Sequence, residues 1–428
     1  MEMSTPRKYG EPEIETAPIE KLREMQLGSL KALMEKAYEK TAFYRRKFAE
    51  VGIEPKDIKS LDDIAKLPLT RHLEDFVATP LADKMAVPWK DVSVIWNSSG
   101  TVTGTPQLVP IARNEYERYV SLIARFLYLA EISEDDVIML LVPNDMWIVG
   151  IQRLGARLLP GVGAGALPHN QIQLIDKAGV TAMLALPSLF LQVAELGKQY
   201  GIDLRKTKLQ KVLFVGEPWT ESLRRKMEGE WGVKFYDVYG SSELPGRGGE
   251  CMERNGIHVF TDFSLLEIVD PETGEVLPPG EEGEIVITNL GSEAIPLIRY
   301  QTGDVAAMLP YEICPCGRTH PRISRIKGRV AHIIRVKGVK LLPYDIEELI
   351  GKNPRLTGEY QVIVDRPGER DTLKVKIEHT EGVTNQQALK EEVEKAFAEE
   401  LSVKAEVELL PPGGIPKTMW KAQRIISA

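Results

Sequence analysis

Small hydroxylated residues and glycines are concentrated between Trp96 and Pro106, directly after the apolar run 92–95. Glycines let a backbone turn sharply enough to direct its N–H groups at an anion, and serine and threonine add hydroxyl donors. Residues 108–111 are again strand-like, which predicts a phosphate-binding loop between two strands and not the strand-to-helix loop of a Walker motif. Such a cluster more often marks an ordinary loop, so phosphate binding needs support from elsewhere.

Two further polar groups follow predicted strands. The strand 235–238 leads into Tyr239-Gly240-Ser241-Ser242-Glu243, where a tyrosine ring can lie on a planar base and Glu243 offers a hard oxygen ligand for Mg²⁺. A partly buried core ring and a helix N-terminal acid are the alternative interpretation. Asp304, at the glycine turn after Thr302, could accept two hydrogen bonds from a ribose diol, although aspartate after glycine is also common in plain turns.

The elements around these residues alternate between short apolar runs and helix-like stretches. Runs at 137–142, 157–159, 182–186 and 212–215 predict a parallel sheet wrapped by helices, with ligands beyond the carboxyl ends of its strands. Helical periodicity also covers residues 19–49. The fold class is therefore α/β and α+β, with a large N-terminal domain and a small C-terminal one.

Domain boundaries are predicted from changes in this pattern. The large domain covers residues 1–329, and within it a β-rich subdomain covers about 250–328, where apolar and polar residues alternate. Residues 330–428 form a separate α+β domain, which closes with a Pro/Gly loop and Trp420-Lys421. The closing segment is either a frayed tail or a tethered catalytic arm.

Composition limits the partners. The 428 residues exceed one comfortable core, and a net charge of −8 without a polybasic block argues against nucleic acid. No apolar span is long enough for a bilayer, and three cysteines make no disulfide framework. We therefore expect a cytoplasmic protein with small-molecule partners and no membrane partner, and a homodimer is left open.

The motifs, in this order and spacing, resemble those of the adenylate-forming (acyl-CoA synthetase) superfamily, and most closely its phenylacetate–CoA ligase-like branch. The resemblance covers nearly the whole chain. Besides the loop at Ser98 and YGSSE at Tyr239, the motifs that carry it are GEPWT (216–220), EIVDPETGEVLPPGEEGEIVIT (267–288), RYQTGD (299–304), CPCGRTHPRI (314–323) and PKTMWKAQR (416–424).

The resemblance implies an ATP-dependent acid–CoA ligase that forms an acyl-adenylate. Its nucleotide-site residues would be Ser98, Ser99, Gly100, Thr101, Thr103 and Gly104 for the phosphates, Gly216, Glu217, Pro218 and Tyr239 around adenine, and Asp304 and Arg329 for the ribose. Gly240, Ser241 and Ser242, which follow Tyr239, would belong to the same nucleotide site. Glu243 would hold Mg²⁺, and Lys421 would enter the site during adenylation. Rotation of the C-terminal domain would then withdraw Lys421 and open a coenzyme A tunnel at Arg335 to Leu342, including Lys337 and Gly338.

Three positions depart from the family pattern. Thr105 stands where the loop usually has lysine, so one charged phosphate contact is missing. The acidic hinge residue expected after Arg329 is replaced by Val330-Ala331-His332. Trp420 replaces glycine before Lys421, either to pack against a substrate or to anchor the tail.

The chain also contains a set of potential metal ligands, Cys251, His258, Cys314 and Cys316. Its resemblance to some members of this branch implies that the set binds a structural Zn²⁺. One residue between Cys314 and Cys316 is tighter than the usual spacing, and unliganded cysteines are the alternative; His320 is an alternative ligand.

The acid pocket is expected near residues 144–150, 161–166 and 240–246. Trp147 suggests an apolar wall, and Gly163 and Gly165 leave space; Tyr239 would border the same pocket. An aryl acid such as phenylacetate or a benzoate is favoured by the resemblance. A small branched or hydroxy acid, an adenylating enzyme with an acceptor other than CoA, and a nucleotide binder without catalysis remain as alternatives.

Overall fold

The structure, a computed structural model, describes residues 8–97, 106–142, 145–161, 168–241, 243, 247–364, 372–415 and 424–427. The helices of the described chain are α1 (Pro12–Glu15), α2 (Ile19–Lys40), α3 (Ala42–Val51), α4 (Leu81–Lys84), α5 (Arg113–Leu129), α6 (Asp145–Leu154), α7 (Pro168–Lys177), α8 (Pro187–Gln199), α9 (Glu221–Trp231), α10 (Pro343–Gly351) and α11 (Gln386–Glu400). The strands of the first 300 residues are β1 (Val92–Asn97), β2 (Leu108–Ala112), β3 (Val137–Leu140), β4 (Arg157–Pro160), β5 (Ala182–Ala185), β6 (Lys211–Val215), β7 (Lys234–Tyr239), β8 (Gly248–Glu250), β9 (Ile257–Val259), β10 (Ser264–Val269) and β11 (Glu282–Asn289). The later strands are β12 (Tyr300–Ala307), β13 (Arg322–Ile323), β14 (Gly328–Arg329), β15 (Ile334–Val336), β16 (Val339–Leu341), β17 (Leu356–Val364), β18 (Leu373–His379), β19 (Ala405–Leu410) and β20 (Ile425–Ser427).

A central sheet has the strand order β13-β9-β8-β7-β6-β5-β3-β4. Its strands β7, β6, β5, β3 and β4 are parallel, which explains the continuous apolar runs, because helices cover both faces. On one face α5 contributes Phe126 to the core and α6 contributes Ile151. On the other face Phe190 of α8 and Trp231 of α9 pack with Phe214. The predicted helix-wrapped parallel sheet is confirmed.

The β-rich part of the chain divides between two sheets. Strands β8, β9 and β13 extend the central sheet in antiparallel fashion. Strands β10, β11, β12 and β14 form a second, antiparallel sheet. The segment predicted as one subdomain at about 250–328 therefore supplies strands to both sheets, because sequence alternation specifies a strand but not its partner.

The N-terminal part differs in detail from its sequence pattern. Helical periodicity at residues 19–49 is divided between α2 and α3, because Thr41 has an extended backbone and its Oγ1 accepts a hydrogen bond from the Tyr44 N–H at 3.2 Å. A π-helical turn follows at His72–Val77. Strands β1 and β2 form an antiparallel hairpin, which confirms that the hydroxyl-rich segment joins two strands.

The last hundred residues have a core of their own. Strands β19, β18, β17 and β20 form a mixed sheet, and α10 and α11 pack on it through residues such as Ile350 and Phe397. This core begins at Ile334, five residues beyond β14. None of the described helices combines the length and the hydropathy needed to cross a bilayer.

Candidate active site

A cavity of about 3000 Å³ lies beyond the carboxyl ends of the parallel strands β5, β6 and β7. The second sheet and the C-terminal domain complete its walls. The site residues predicted from sequence that line it are Trp147, Gly216, Glu217, Pro218, Tyr239, Gly240, Ser241, Glu243, Asp304 and Arg329. The fold thus brings together residues from three separate motifs with Trp147 and Arg329, as expected for the edge where parallel strands end.

Tyr239, Asp304 and Arg329 form one hydrogen-bonded group in the cavity wall. Asp304 and Arg329 lie directly opposite each other on β12 and β14, and Arg329 Nε is 3.3 Å from Asp304 Oδ1. Tyr239, at the end of β7, donates its hydroxyl hydrogen bond to Asp304 Oδ2 at 3.0 Å. Residues from both sheets therefore meet at a single carboxylate.

Burial sets the electrostatics of this group. It raises the pKa of Asp304 above its ordinary value, while Arg329 and the Tyr239 hydroxyl oppose that shift. Burial and the charge of Asp304 raise the pKa of Tyr239 well above its ordinary value. Near neutral pH the tyrosine therefore stays a donor, and the carboxylate keeps lone pairs for further donors.

Glu217 has a different immediate partner from the one expected. Its carboxylate accepts hydrogen bonds from the Ser188 N–H at 3.0 Å and from the Ser188 hydroxyl at 2.9 Å, at the first turn of α8. An acid at a helix N-terminus satisfies free N–H groups and is favoured by the helix dipole. Gly216, with φ of +77°, provides the turn that directs Glu217 there.

The other end of the cavity is apolar. Trp147 on α6 and Phe126 on α5 line it, with ring centroids 6.0 Å apart in an edge-to-face arrangement. Close contact between the two helices depends on Gly150, where a Cβ would lie 2.2 Å from Ile123 Cγ2. Val142 and Met146 add further apolar surface. Trp147, which the sequence suggested as an apolar wall, lines this end of the cavity.

Several predicted site residues lie outside the described residues: Ser98, Ser99, Gly100, Thr101, Thr103, Gly104, Gly163, Gly165, Ser242 and Lys421. Arg424, which closes the same motif as Lys421, lines the cavity. It is held by an ion pair with Glu359 at 2.8 Å and by stacking 4.6 Å from the centroid of the Tyr360 ring.

Lys337 and Gly338 occupy the turn between β15 and β16, and both have positive φ, +46° and +82°. The described residues that line the cavity do not include them. In this domain arrangement the cavity wall is formed instead by residues between β14 and β15, such as Val330 and His332, and by Tyr344 at the start of α10.

Sequence reasoning missed a pair beside Glu243. His72 and Tyr300 both line the cavity, and His72 Nδ1 is 2.5 Å from the Tyr300 hydroxyl. Tyr300 belongs to the RYQTGD motif but was given no role there, and His72, 228 positions away, belongs to none of the motifs. The pairing of Thr70 with Tyr300 at the edge of the second sheet helps to bring them together.

The C-terminal domain is docked on the large domain by polar contacts. Glu348 on α10 accepts a hydrogen bond from the Ser222 N–H at 2.8 Å and pairs with Arg225 at 3.1 Å. Lys327, just before β14, pairs with Glu282 at 2.7 Å and with Asp345 at 2.8 Å. These contacts tie the first turn of α9 and the second sheet to α10.

Cys251, His258, Cys314 and Cys316 form a buried cluster in which all four ligand atoms lie within 4.8 Å of one another. The Sγ atoms of Cys251 and Cys314 are 3.7 Å apart, and Cys316 Sγ is 3.6 Å from His258 Nε2. His320 is directed elsewhere, because its Nδ1 is 2.9 Å from Thr261 Oγ1 and its Nε2 is 3.2 Å from Arg125. The structure thus assembles the predicted set and leaves the alternative histidine out.

The fold and the cavity define a two-domain α/β protein with one large site between its domains. Comparison with known proteins gives the family. Residues 25–291 match the model of the AMP-binding enzyme family, and residues 338–428 match that of the AMP-binding enzyme C-terminal domain. A phenylacetate–coenzyme A ligase of Aromatoleum evansii is 35% identical over 100% of this chain and 99% of its own. The chain therefore belongs to the AMP-binding enzyme family, as its motifs predicted.

Solved structures of one enzyme bear on the domain arrangement. A 2-hydroxyisobutyryl-CoA ligase in the postadenylation state, bound to 2-HIB-AMP, matches with a TM-score of 0.89 at 25% identity, covering 100% of this chain and 94% of that one. The same ligase in the thioesterification state matches with a TM-score of 0.72 at 27% identity, covering 99% and 93%. The present arrangement of the two domains is more similar to the first state.

Proposed function

We propose that this protein is an ATP-dependent acid–CoA ligase that forms an acyl-adenylate and then an acyl-CoA, releasing pyrophosphate and AMP. ATP and CoA are substrates of this ligase family. One observation carries the proposal for this chain: the polar group of Tyr239, Asp304 and Arg329 and the apolar wall at Trp147 belong to the same cavity. A polar nucleotide end and an apolar acid end are what an acyl-adenylate requires.

In this proposal Asp304 accepts hydrogen bonds from the ribose hydroxyls and Arg329 donates to the ribose. Tyr239 lies against adenine, bordered by Gly216 and Pro218. Glu217 acts by fixing the start of α8 and the turn at Gly216. The hydroxyl-rich loop at 98–104 holds the phosphates, and Ser241 and Ser242 lie beside them.

Adenylation joins a carboxylate oxygen to the α-phosphorus, and pyrophosphate leaves. Glu243 lines the cavity, and its carboxylate is a hard oxygen ligand suited to Mg²⁺, which would neutralise phosphate charge there. Lys421 donates to the α-phosphate, where negative charge develops, in a site from which the small domain excludes water. A CoA thiol then displaces AMP after the small domain rotates about residues 329–332 and brings Lys337 and Gly338 to the site.

We propose an aryl acid, such as phenylacetate or a benzoate, as the substrate. Trp147, Phe126 and Ile123 offer flat and branched apolar surface that suits a ring, and the curated relative described above is named for phenylacetate. A small hydroxy acid is the second candidate, because the ligase with the high TM-score is named for 2-hydroxyisobutyrate. The three free cysteines suit a reducing compartment, so we place the enzyme in the cytoplasm.

We also propose that Cys251, His258, Cys314 and Cys316 hold a structural Zn²⁺. A tetrahedral ion with Zn–S bonds of about 2.3 Å and a Zn–N bond of about 2.0 Å would separate two sulfurs by about 3.8 Å and a sulfur from a nitrogen by about 3.5 Å. The corresponding separations are 3.7 Å and 3.6 Å. Three thiolates and one imidazole form a closed donor set that leaves no position for a substrate.

The test is pyrophosphate release from ATP and Mg²⁺ with phenylacetate, benzoate or 2-hydroxyisobutyrate, each with and without CoA. We expect sustained release only with an aryl acid and CoA together. Release that prefers 2-hydroxyisobutyrate would identify the second substrate class. Release that does not depend on CoA would indicate another acceptor and contradict the proposal.

A further inference from the structure

The segment before the π-helical turn is built onto the edge of the second sheet. The Thr70 N–H donates to the Arg299 carbonyl at 2.8 Å, and the Gln301 N–H donates to the Thr70 carbonyl at 3.0 Å. Asp75 accepts from the Arg71 N–H at 2.9 Å and pairs with Lys47 at 2.6 Å. His72 is therefore held by contacts on both sides, in a π-helical turn of the kind that often marks a functional site.

The Tyr300 hydroxyl and His72 Nδ1 are 2.5 Å apart, in a hydrogen bond whose donor depends on the tautomer of the ring. Burial and the negative charge of Glu243 raise the pKa of Tyr300 well above its ordinary value, so its hydroxyl keeps a proton that it can donate to the ring. Burial lowers the pKa of His72, with Glu243 opposing and Arg329 adding to the shift. A neutral imidazole that accepts at Nδ1 carries its own proton at Nε2.

That Nε2–H is available to a ligand. His72 lines the cavity, and across the described ranges of the chain its Nε2 has no hydrogen-bond partner. The charged side chains whose fields reach the ring are Glu243, Arg329, Glu74 and Lys84. In the tautomer that accepts from Tyr300, the ring offers a donor in the cavity wall whose field Glu243 shares, where an oxygen anion could meet it.

Which oxygen anion His72 would meet depends on the direction in which the nucleotide lies along the cavity wall. Tyr300 and Asp304 lie on the same strand, four residues apart, and the pairing of this stretch with β11 is irregular. The charge of Glu243 acts on both Tyr300 and His72, so a nucleotide with its ribose at Asp304 and an ion at Glu243 would extend its phosphates toward these two residues.

We propose that His72 is a further nucleotide-binding residue, whose Nε2–H donates a hydrogen bond to a phosphate oxygen of ATP and whose orientation Tyr300 fixes. The inference rests on the proposed function, because it takes the ribose and metal positions from it. His72 would add a neutral hydrogen-bond donor to the phosphate-binding part of the nucleotide site, for which the sequence has Thr105 in place of the lysine common in the family.

Two substitutions of His72 test the roles of the two ring nitrogens independently. In His72→Asn the amide oxygen can replace Nδ1 as the acceptor for Tyr300, but no donor remains at the position of Nε2. In His72→Gln the amide N–H replaces Nε2, and the acceptor for Tyr300 is lost. Calorimetric titration with ATP and Mg²⁺ measures affinity without requiring the acid substrate.

We expect His72→Asn to bind ATP about 10- to 100-fold more weakly than wild type, the range for one hydrogen bond to a charged group. His72→Gln should lose no more than about threefold, and Tyr300→Phe should weaken binding in the wild-type background but not in His72→Gln. Melting temperatures show whether each variant folds; if His72→Asn does not, the Tyr300→Phe comparison decides.

Three outcomes overturn the inference. If His72→Asn binds as wild type does, or if a folded His72→Gln is as weak as His72→Asn, His72 does not donate to the nucleotide while the proposed function stands. If the wild type does not bind ATP with Mg²⁺, the nucleotide site itself is wrong, and the inference falls with it.

Discussion

The contact between Glu348 and the first turn of α9 should control the balance between the two half-reactions. Glu348 belongs to the C-terminal domain, and its carboxylate binds the Ser222 N–H at 2.8 Å and Arg225 at 3.1 Å in the large domain. Gly351 packs against Ser222 in the same interface. Since this arrangement resembles the postadenylation state, a weaker contact should favour rotation away from it.

The size of the effect follows from the two bonds. A hydrogen bond from a helix N–H to a carboxylate contributes about 1.5–3 kcal/mol. The ion pair adds less than about 1 kcal/mol, because 58% of the Arg225 side chain is exposed. Glu348→Gln keeps a neutral acceptor and should cost about 1–2 kcal/mol, a factor of about 5 to 30 in the domain equilibrium.

Single-turnover kinetics can measure each half-reaction by itself. We expect Glu348→Gln to slow pyrophosphate release up to about 30-fold and to leave transfer from preformed acyl-adenylate to CoA unchanged or faster. Glu399→Gln is the matched control, since it removes an exposed ion pair with Lys395 within α11. Equal rates for Glu348→Gln and wild type in adenylation, or a slower transfer to CoA alone, would refute the proposed role of this contact.

Three further predictions concern separate parts of the molecule. Asp304→Asn should weaken ATP binding about 10- to 100-fold by calorimetry, because an amide accepts less strongly from the ribose hydroxyls; unchanged binding would remove Asp304 from the site. Cys314→Ser should abolish zinc measured by atomic absorption, whereas His320→Gln, outside the cluster, should retain about one ion per chain. Burial raises the pKa of Glu115 to about 7 from 4.5, so the folded state binds a proton that the unfolded state has released. Stability should therefore fall as pH rises between about 4.5 and 7, by at most about 3 kcal/mol, and denaturant titrations of Glu115→Gln should lack this fall.

Local patterns predicted the elements of the fold well. The hairpin of β1 and β2, the parallel strands and helices α10 and α11 each follow from periodicity within a short window. The carboxyl ends of β6 and β7 were expected to carry the site, and Gly216 and Tyr239 do line the cavity. These elements could be predicted because the hydrophobic period and the direction of the chain depend only on residues that are close together in the sequence.

Contacts between residues far apart in the chain could not be predicted from the sequence. The acceptor role of Glu217 toward Ser188 joins two strand ends 29 residues apart, and the pair of His72 and Tyr300 joins residues 228 apart. Neither partner has a spacing that indicates the other. The division of the β-rich segment between two sheets has the same cause, since alternation defines the faces of a strand and not its neighbours.

The cluster of Cys251, His258, Cys314 and Cys316 was predicted from the family resemblance and not from local spacing alone. One residue between Cys314 and Cys316 is unusual spacing for zinc ligands, and Cys251 and His258 are about 60 residues away, at 63 and 58 positions. The antiparallel strands β8, β9 and β13 bring these segments together at one edge of the central sheet. The family pattern identified the set, and the fold explains why its members can meet.

The most direct test of the central claim is to identify the intermediate. The protein is mixed with ATP, Mg²⁺ and phenylacetate without CoA, the products are analysed by mass spectrometry, and CoA is then added. The account predicts an enzyme-bound acyl-AMP with one equivalent of pyrophosphate, converted to acyl-CoA and AMP after the addition. Formation of ADP and phosphate, or acyl-CoA formed with no adenylate at any time, would contradict it.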